Sequence, residues 1–196
     1  MEVDEKLMIP YKEKDEGTRL FKAGEFENSS KAYSKALLAI NYLFKDELIP
    51  EEDVMRYVKE IQIPCLLNLS ACYLKMKVNY ENVIIHCSDV LNVDPGNPKA
   101  LYRRGVAHTE LSNFEEASRD LKEARRIEPK NNSIYEAQVE LKSRIKAYKE
   151  KTKKIAQKTF EKKPQPEVKN IPEPSTWTLL GQIIFQCCRR RANFRH

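Results

Sequence analysis

Two stretches of the chain carry one pattern of apolar and polar positions. YENVIIHCSDVLNVDP ends at Pro95 and FEEASRDLKEARRIEP ends at Pro129, and the two prolines are 34 residues apart. In each, apolar residues return every three or four positions, which predicts an amphipathic helix, and the proline stops it. A second helical stretch precedes each one, PCLLNLSACYLKM and PKALYRRGVAHTEL, with Ala71 and Gly105 again 34 apart. These are small residues where two helices must approach closely. The pattern occurs once more upstream, in EKDEGTRLFKAGEFENSSKAYSKALLAI. There Gly17 takes the close-contact place, Phe26 the turn aromatic, and Tyr33 and Ala36 the core of the second helix.

Gly17 lies 54 residues before Ala71, one period of 34 plus 20. The extra residues, roughly Asn41 to Glu60, predict a lengthened second helix, a loop at Ile49-Pro50 and a lengthened start to the next helix. After Pro129, Ile134, Ala137, Leu141, Ile145 and Tyr148 recur at helical spacing. They predict a long final helix, capped by Asn132 or Ser133, whose basic second half projects into solvent. From Lys162 to Pro174 four prolines fall within eleven residues (164 to 174), which predicts an extended linker.

A 34-residue helix-turn-helix period with small residues at these places resembles the tetratricopeptide repeat. One such unit cannot bury its apolar face alone, so neighbours stack. The expected fold is all-α: three repeats in a right-handed superhelix, first helices lining the concave side, closed by a long C-terminal capping helix. The expected layout is an N-terminal segment 1–10 and a repeat domain 11–160. Within that domain the repeats cover 11–44, 62–95 and 96–129, and the capping helix 132–160. A proline-rich linker 161–174 and a tail 175–196 follow.

The groove is where the chemistry falls. In KALYRRG, Lys99 and Arg103 are four residues apart and share one helix face, while Leu101, Arg104, Gly105 and His108 face the core. Lys14 and Thr18 stand in the same relation in the first repeat, and Asn68 sits one turn before Cys72 in the second. Converging lysines, an arginine and an amide suit carboxylates: lysine gives a point charge, arginine a two-pronged donor, and the amide fixes orientation. A peptide's C-terminal carboxylate beside an acidic side chain would fill such a site.

These residues resemble the carboxylate clamp of tetratricopeptide co-chaperones. The clamp pattern is Lys and Asn in the first repeat, Asn in the second, Lys and Arg in the third. Lys14, Asn68, Lys99 and Arg103 match, and Thr18 replaces the first Asn. Surface lysine and arginine on such repeats are ordinarily solvated charge, but four of five positions in phase across three repeats argue otherwise. The insertion after the first repeat, with CLLNLSACYLK and KALYRRG, is most similar to the C-terminal half of the large FKBP immunophilins. The resemblance implies binding of the Glu-Glu-Val-Asp C-termini of heat-shock protein 90 or heat-shock protein 70 chaperones. Those relatives carry a prolyl-isomerase domain before the repeats, for which this chain has no room, so no isomerase activity is expected. The alternative function is a repeat scaffold for a non-chaperone partner.

The net charge of +6 allows an acidic partner or an anionic membrane but does not by itself point to nucleic acid, and no nucleic-acid partner is expected. Cys65, Cys72 and Cys87 fall in apolar helical patterns and read as buried thiols. With MEVDEKLMIPYKEK charged throughout, no secretory signal is read, which suggests a reducing compartment: the cytosol or a membrane face toward it. None of the three histidines has a Cys or carboxylate at metal spacing and no phosphate loop is present, so no enzyme, metal or cofactor is expected.

The tail STWTLLGQIIFQCCRRRANFRH differs from everything before it. Its apolar run of about 12 residues is shorter than the roughly 17 to 25 of a spanning helix. Three readings stay open. One is an interfacial anchor with Trp177, Leu180, Ile184 and Cys188 as its apolar stripe, Arg189 and Arg190 on anionic lipid, and Cys187 and Cys188 open to acylation. The others are a segment packing back on the repeats and a basic partner helix, for example for calmodulin. Some FKBP relatives end in a hydrophobic anchor followed by basic residues, which this tail resembles.

Overall fold

The computed structural model describes residues 3–161, and these residues are helical with no strand among them. Two units divide between Lys151 and Thr152, and the helix stack lies in the first. The linker and tail residues, including Trp177, Leu180, Ile184, Cys187, Cys188, Arg189 and Arg190, lie outside the described residues.

The helices pair in chain order. Helices α1 (Val3–Lys22) and α2 (Phe26–Lys45) form the first pair. Helix α3 (Glu51–Tyr57) runs through a π-helical turn, Val58–Gln62, into α4 (Ile63–Met76), which pairs with α5 (Tyr80–Val93). The third pair is α6 (Pro98–Glu110) and α7 (Phe114–Ile127), and α8 (Asn132–Glu161) follows. The pairs stack as three repeats of a right-handed superhelix, with α1 beside α4 and α4 beside α6.

Local chemistry sets the helix ends. A residue before proline is pushed out of helical conformation. Asp94 (φ −130°, ψ 84°) and Glu128 (φ −118°, ψ 76°) obey this before Pro95 and Pro129, so α5 and α7 end just ahead of them. Asn97 opens α6 by accepting from the Ala100 amide at 3.0 Å, with Pro98 at the first helical position, where a missing N–H costs nothing.

Two expectations are corrected here. The segment 1–10 is not separate, because α1 begins at Val3 and runs straight through Pro10. Leu7 packs on the first core cluster and Pro10 is fully buried, and this burial offsets the backbone hydrogen bond that Pro10 forfeits. The cap of α8 is neither Asn132 nor Ser133 but Asn131, whose Oδ1 accepts from the Ser133 amide at 3.0 Å.

Gly17 and Gly105 set the spacing within their pairs. A Cβ on Gly17 would stand 2.8 Å from the Tyr33 ring, and one on Gly105 2.8 Å from Leu121 Cγ. The core follows the stack as a series of clusters. Tyr33, Ile40, Leu43, Ile61, Cys65 and Cys72, with Leu7, Tyr11 and Phe21 of α1 packed against them, join α1 through α4. Leu66, Val83, Cys87, Val90 and Ala107 join α4 through α6, and Leu121 with Leu141 carries the core onto α8. Cys65, Cys72 and Cys87 are buried free thiols, and burial pushes the Cys65 thiol up to about 12 and that of Cys87 to about 11. Helix α8 covers the last apolar face with Ile134 and Leu141, donates from Gln138 Nε2 to the Leu121 carbonyl at 3.1 Å, and pairs Arg144 with Glu110 through two bonds of 2.9 and 2.8 Å. From Lys149 to Thr159 its side chains are exposed.

Candidate peptide-binding groove

The predicted site residues sit on the first helices of the three pairs: Lys14 and Thr18 on α1, Asn68 on α4, Lys99 and Arg103 on α6. Lys14 is half-buried. Its Nζ donates to the Glu60 carbonyl at 3.2 Å and lies 5.5 Å above the Tyr11 ring. Tyr11 in turn donates to Glu60 Oε2 at 3.2 Å. The π-helical turn thus sets Glu60 beside α1, where its carbonyl steadies the lysine. Such turns recur at functional sites.

Thr18 and Asn68 meet through a third residue. Thr18 Oγ1 donates to the Lys14 carbonyl at 2.9 Å and lies 3.1 Å from the Tyr33 hydroxyl, which accepts from Asn68 Nδ2 at 3.2 Å. Tyr33 is 1% exposed, and burial holds its phenol above the usual tyrosine range. Its hydroxyl therefore joins α1 and α4 from beneath.

Arg103 donates from Nη1 to the Leu67 carbonyl at 2.6 Å and lies among Cys87, Tyr102, Cys72 and Tyr33. Desolvation pulls its guanidinium below the usual arginine range. Among the described residues no carboxylate lies within 4.0 Å of it. Lys99 is exposed and has no hydrogen bond or ion pair among the described residues. The first helices thus carry one exposed lysine, one part-buried guanidinium without a counter-charge among the described residues, an amide on α4 and Lys14 on α1. That set can bind carboxylates.

The neighbouring Arg104 differs. Its Nε and Nη2 donate to Asp120 at 2.7 and 2.8 Å, and its Nη1 donates to Ser88 at 3.0 Å. A cavity of about 590 Å³ lies elsewhere, lined by Leu37, Leu38, Leu66, Tyr73, Ile85 and His86 among others, and none of the five groove residues borders it. No group of three or more His, Cys, Asp or Glu among the described residues could hold a metal, and no described helix is long and apolar enough to cross a membrane.

The Tyr33 hydroxyl and the carbonyls of Glu60 and Leu67 were not foreseen from the sequence. A usable signal existed for the first alone. Tyr33 (16 residues after Gly17) occupies the place of Cys87 (16 after Ala71) and Leu121 (16 after Gly105), and only it carries a hydroxyl.

Residues 98–131 match the tetratricopeptide repeat family. The chain is 32% identical to the peptidyl-prolyl cis-trans isomerase FKBP42 of Arabidopsis thaliana over 83% of its own length and 44% of that protein's, so it spans less than half of that relative. It superimposes on the C-terminal tetratricopeptide domain of an FK506-binding protein of Plasmodium falciparum with a TM-score of 0.66 at 32% identity, covering 78% of this chain and 97% of that domain. It also superimposes on the second tetratricopeptide domain of human RPAP3, solved with the HSP70 peptide SGPTIEEVD, with a TM-score of 0.53 at 25% identity, covering 70% of this chain and 98% of that one.

Proposed function

Because the chain belongs to the tetratricopeptide domains of the FKBP-type immunophilins, we propose that it is a co-chaperone adaptor for the acidic C-terminal peptide of heat-shock protein 90 or 70. The observation that carries this reading is Arg103, a desolvated guanidinium for which the described fold supplies no carboxylate. A part-buried charge without a counter-charge is costly, and a ligand carboxylate would offset part of that cost. Lys99 adds a solvated charge, Asn68 an amide and Lys14 a steadied ammonium at the other end of the groove. The RPAP3 domain's peptide ends in Glu-Glu-Val-Asp, a side-chain and terminal carboxylate together, which suits this set. The role assigned is binding, without catalysis, on the cytosolic side. The apolar run and arginines of residues 177–191 would bring the adaptor to anionic lipid.

Calorimetric titration of the full chain with a peptide ending Met-Glu-Glu-Val-Asp, against its C-terminally amidated form, tests the reading. Binding of the free acid, lost on amidation and weakened by Lys99→Ala, is expected. Equal binding of both forms rejects the clamp and leaves the repeats as a scaffold for another partner.

A further inference from the structure

Counting hydrogens around Tyr33 gives the groove a direction. Each hydroxyl has one hydrogen to donate. Thr18 gives its own to the Lys14 carbonyl at 2.9 Å, the back-bond of a helical threonine. At 3.1 Å from Tyr33, Thr18 Oγ1 can then only accept, so the Tyr33 hydrogen goes to Thr18. The Tyr33 oxygen has no second hydrogen and accepts from Asn68 Nδ2 at 3.2 Å. The bonds therefore run one way, from Asn68 on α4 through Tyr33 on α2 to Thr18 on α1. A flipped Asn68 would set its Oδ1 against an oxygen with no hydrogen to give, so the amide has one favoured orientation.

Two consequences follow for a carboxylate ligand. Thr18 has no hydrogen left for it and does not act as a direct donor. Asn68 keeps one Nδ2 hydrogen. The place of Tyr33 is itself fixed, since its ring fills the space left by the missing Cβ of Gly17.

We propose that Tyr33 is a positioning residue of the groove: through the one-way relay with Thr18 it holds the Asn68 amide with one N–H free for a peptide carboxylate. This rests on the carboxylate reading given above. Lysine supplies attraction from any angle, whereas an amide discriminates only if its orientation is fixed.

The test uses the full chain. Tyr33→Phe keeps the ring and removes the relay, so affinity for the Met-Glu-Glu-Val-Asp peptide should fall about threefold to tenfold, the worth of one hydrogen bond. In an Asn68→Ala background the same change should add nothing. Thr18→Ser should keep the wild-type affinity, while Thr18→Val should match Tyr33→Phe. An equal loss in both Asn68 backgrounds, or no loss with Asn68 present, overturns the proposal. A second readout needs no peptide. The side-chain amide signals of Asn68 in nitrogen-proton spectra of the free chain should move in Tyr33→Phe, and unmoved signals also overturn the relay. If they move while the wild type ignores the peptide, the relay stands and the chaperone reading alone falls.

Discussion

Arg103 and Arg104 are adjacent in sequence and opposite in circumstance. One residue of helix turns the side chain by about 100°, so the two point to different faces of α6. Arg104 faces α7 and α5 and finds its answer there, with both Asp120 oxygens and the Ser88 hydroxyl taking its hydrogens. Arg103 faces α4 and, among the described residues, finds one backbone carbonyl there and no carboxylate. Arg104 is a cation whose counter-charge is part of the fold. Arg103 is a part-buried cation that the described fold answers with a carbonyl and no counter-charge. Identical side chains one residue apart thus separate a residue that holds helices together from one that the proposed function gives to a ligand carboxylate.

The largest expected effect is on the Arg104 side. Asp120→Ala leaves a part-buried guanidinium without its carboxylate, since the Asp120 side chain is only 9% exposed. Breaking such a pair costs about 3–5 kcal/mol. Urea unfolding should show that loss, while the peptide affinity of the folded fraction stays near wild type. A loss below about 1 kcal/mol, the worth of an exposed pair, would erase the contrast between the two arginines.

Arg103→Met should do the reverse. It keeps the apolar stem and removes a desolvated charge, so stability should hold or rise. Peptide affinity should fall about tenfold to a hundredfold, the equivalent of about 1.5–3 kcal/mol for a charge-assisted contact. A stability drop without a binding loss would mean that Arg103 is a second structural arginine.

The two arginines also mark how far the sequence could be read. Period, helix order and the proline stops were legible because they follow from backbone sterics and from which positions are apolar. The two faces of α6 were legible because a helix fixes the direction of every side chain. Periodicity reports which side chains are buried but not which atoms of a buried side chain meet. Tyr33 read as core, as its 1% exposure shows, yet its oxygen is what links Thr18 to Asn68. The Glu60 and Leu67 carbonyls carry no letter of their own, so nothing could point to them before backbone positions were known. The start of α1 was missed because proline is read as a breaker, and only tertiary burial of Leu7 and Pro10 outweighs that rule.

The smallest effect concerns His108, on the Arg104 side. Burial holds its imidazole below the usual histidine range, Asp120 pulls the other way, and Arg104 adds to the lowering. Glu116 and Arg119 across the same gap act in opposite directions, and Asn113 Nδ2 lies 3.4 Å from its Nδ1. The folded state therefore favours the neutral ring. The unfolded chain takes up a proton near the ordinary histidine value of about 6.5, before the folded one does. Stability is then fully present above that value and is lost as pH falls from it toward the lower folded value. His86, half-buried and stacked 6.0 Å from Tyr73, is shifted the same way and adds to the loss. Unfolding midpoints at pH 7.5 and 5.5 should fall for the wild type and fall less for His108→Gln, which cannot take up that proton. Arg103 has no titrating histidine among the groups that shift it, so Arg103→Met should show the same acid loss as the wild type. A flat wild-type profile would mean that the Arg104 face accommodates a charged His108 without cost, and that the Asp120 carboxylate outweighs the burial that disfavours it.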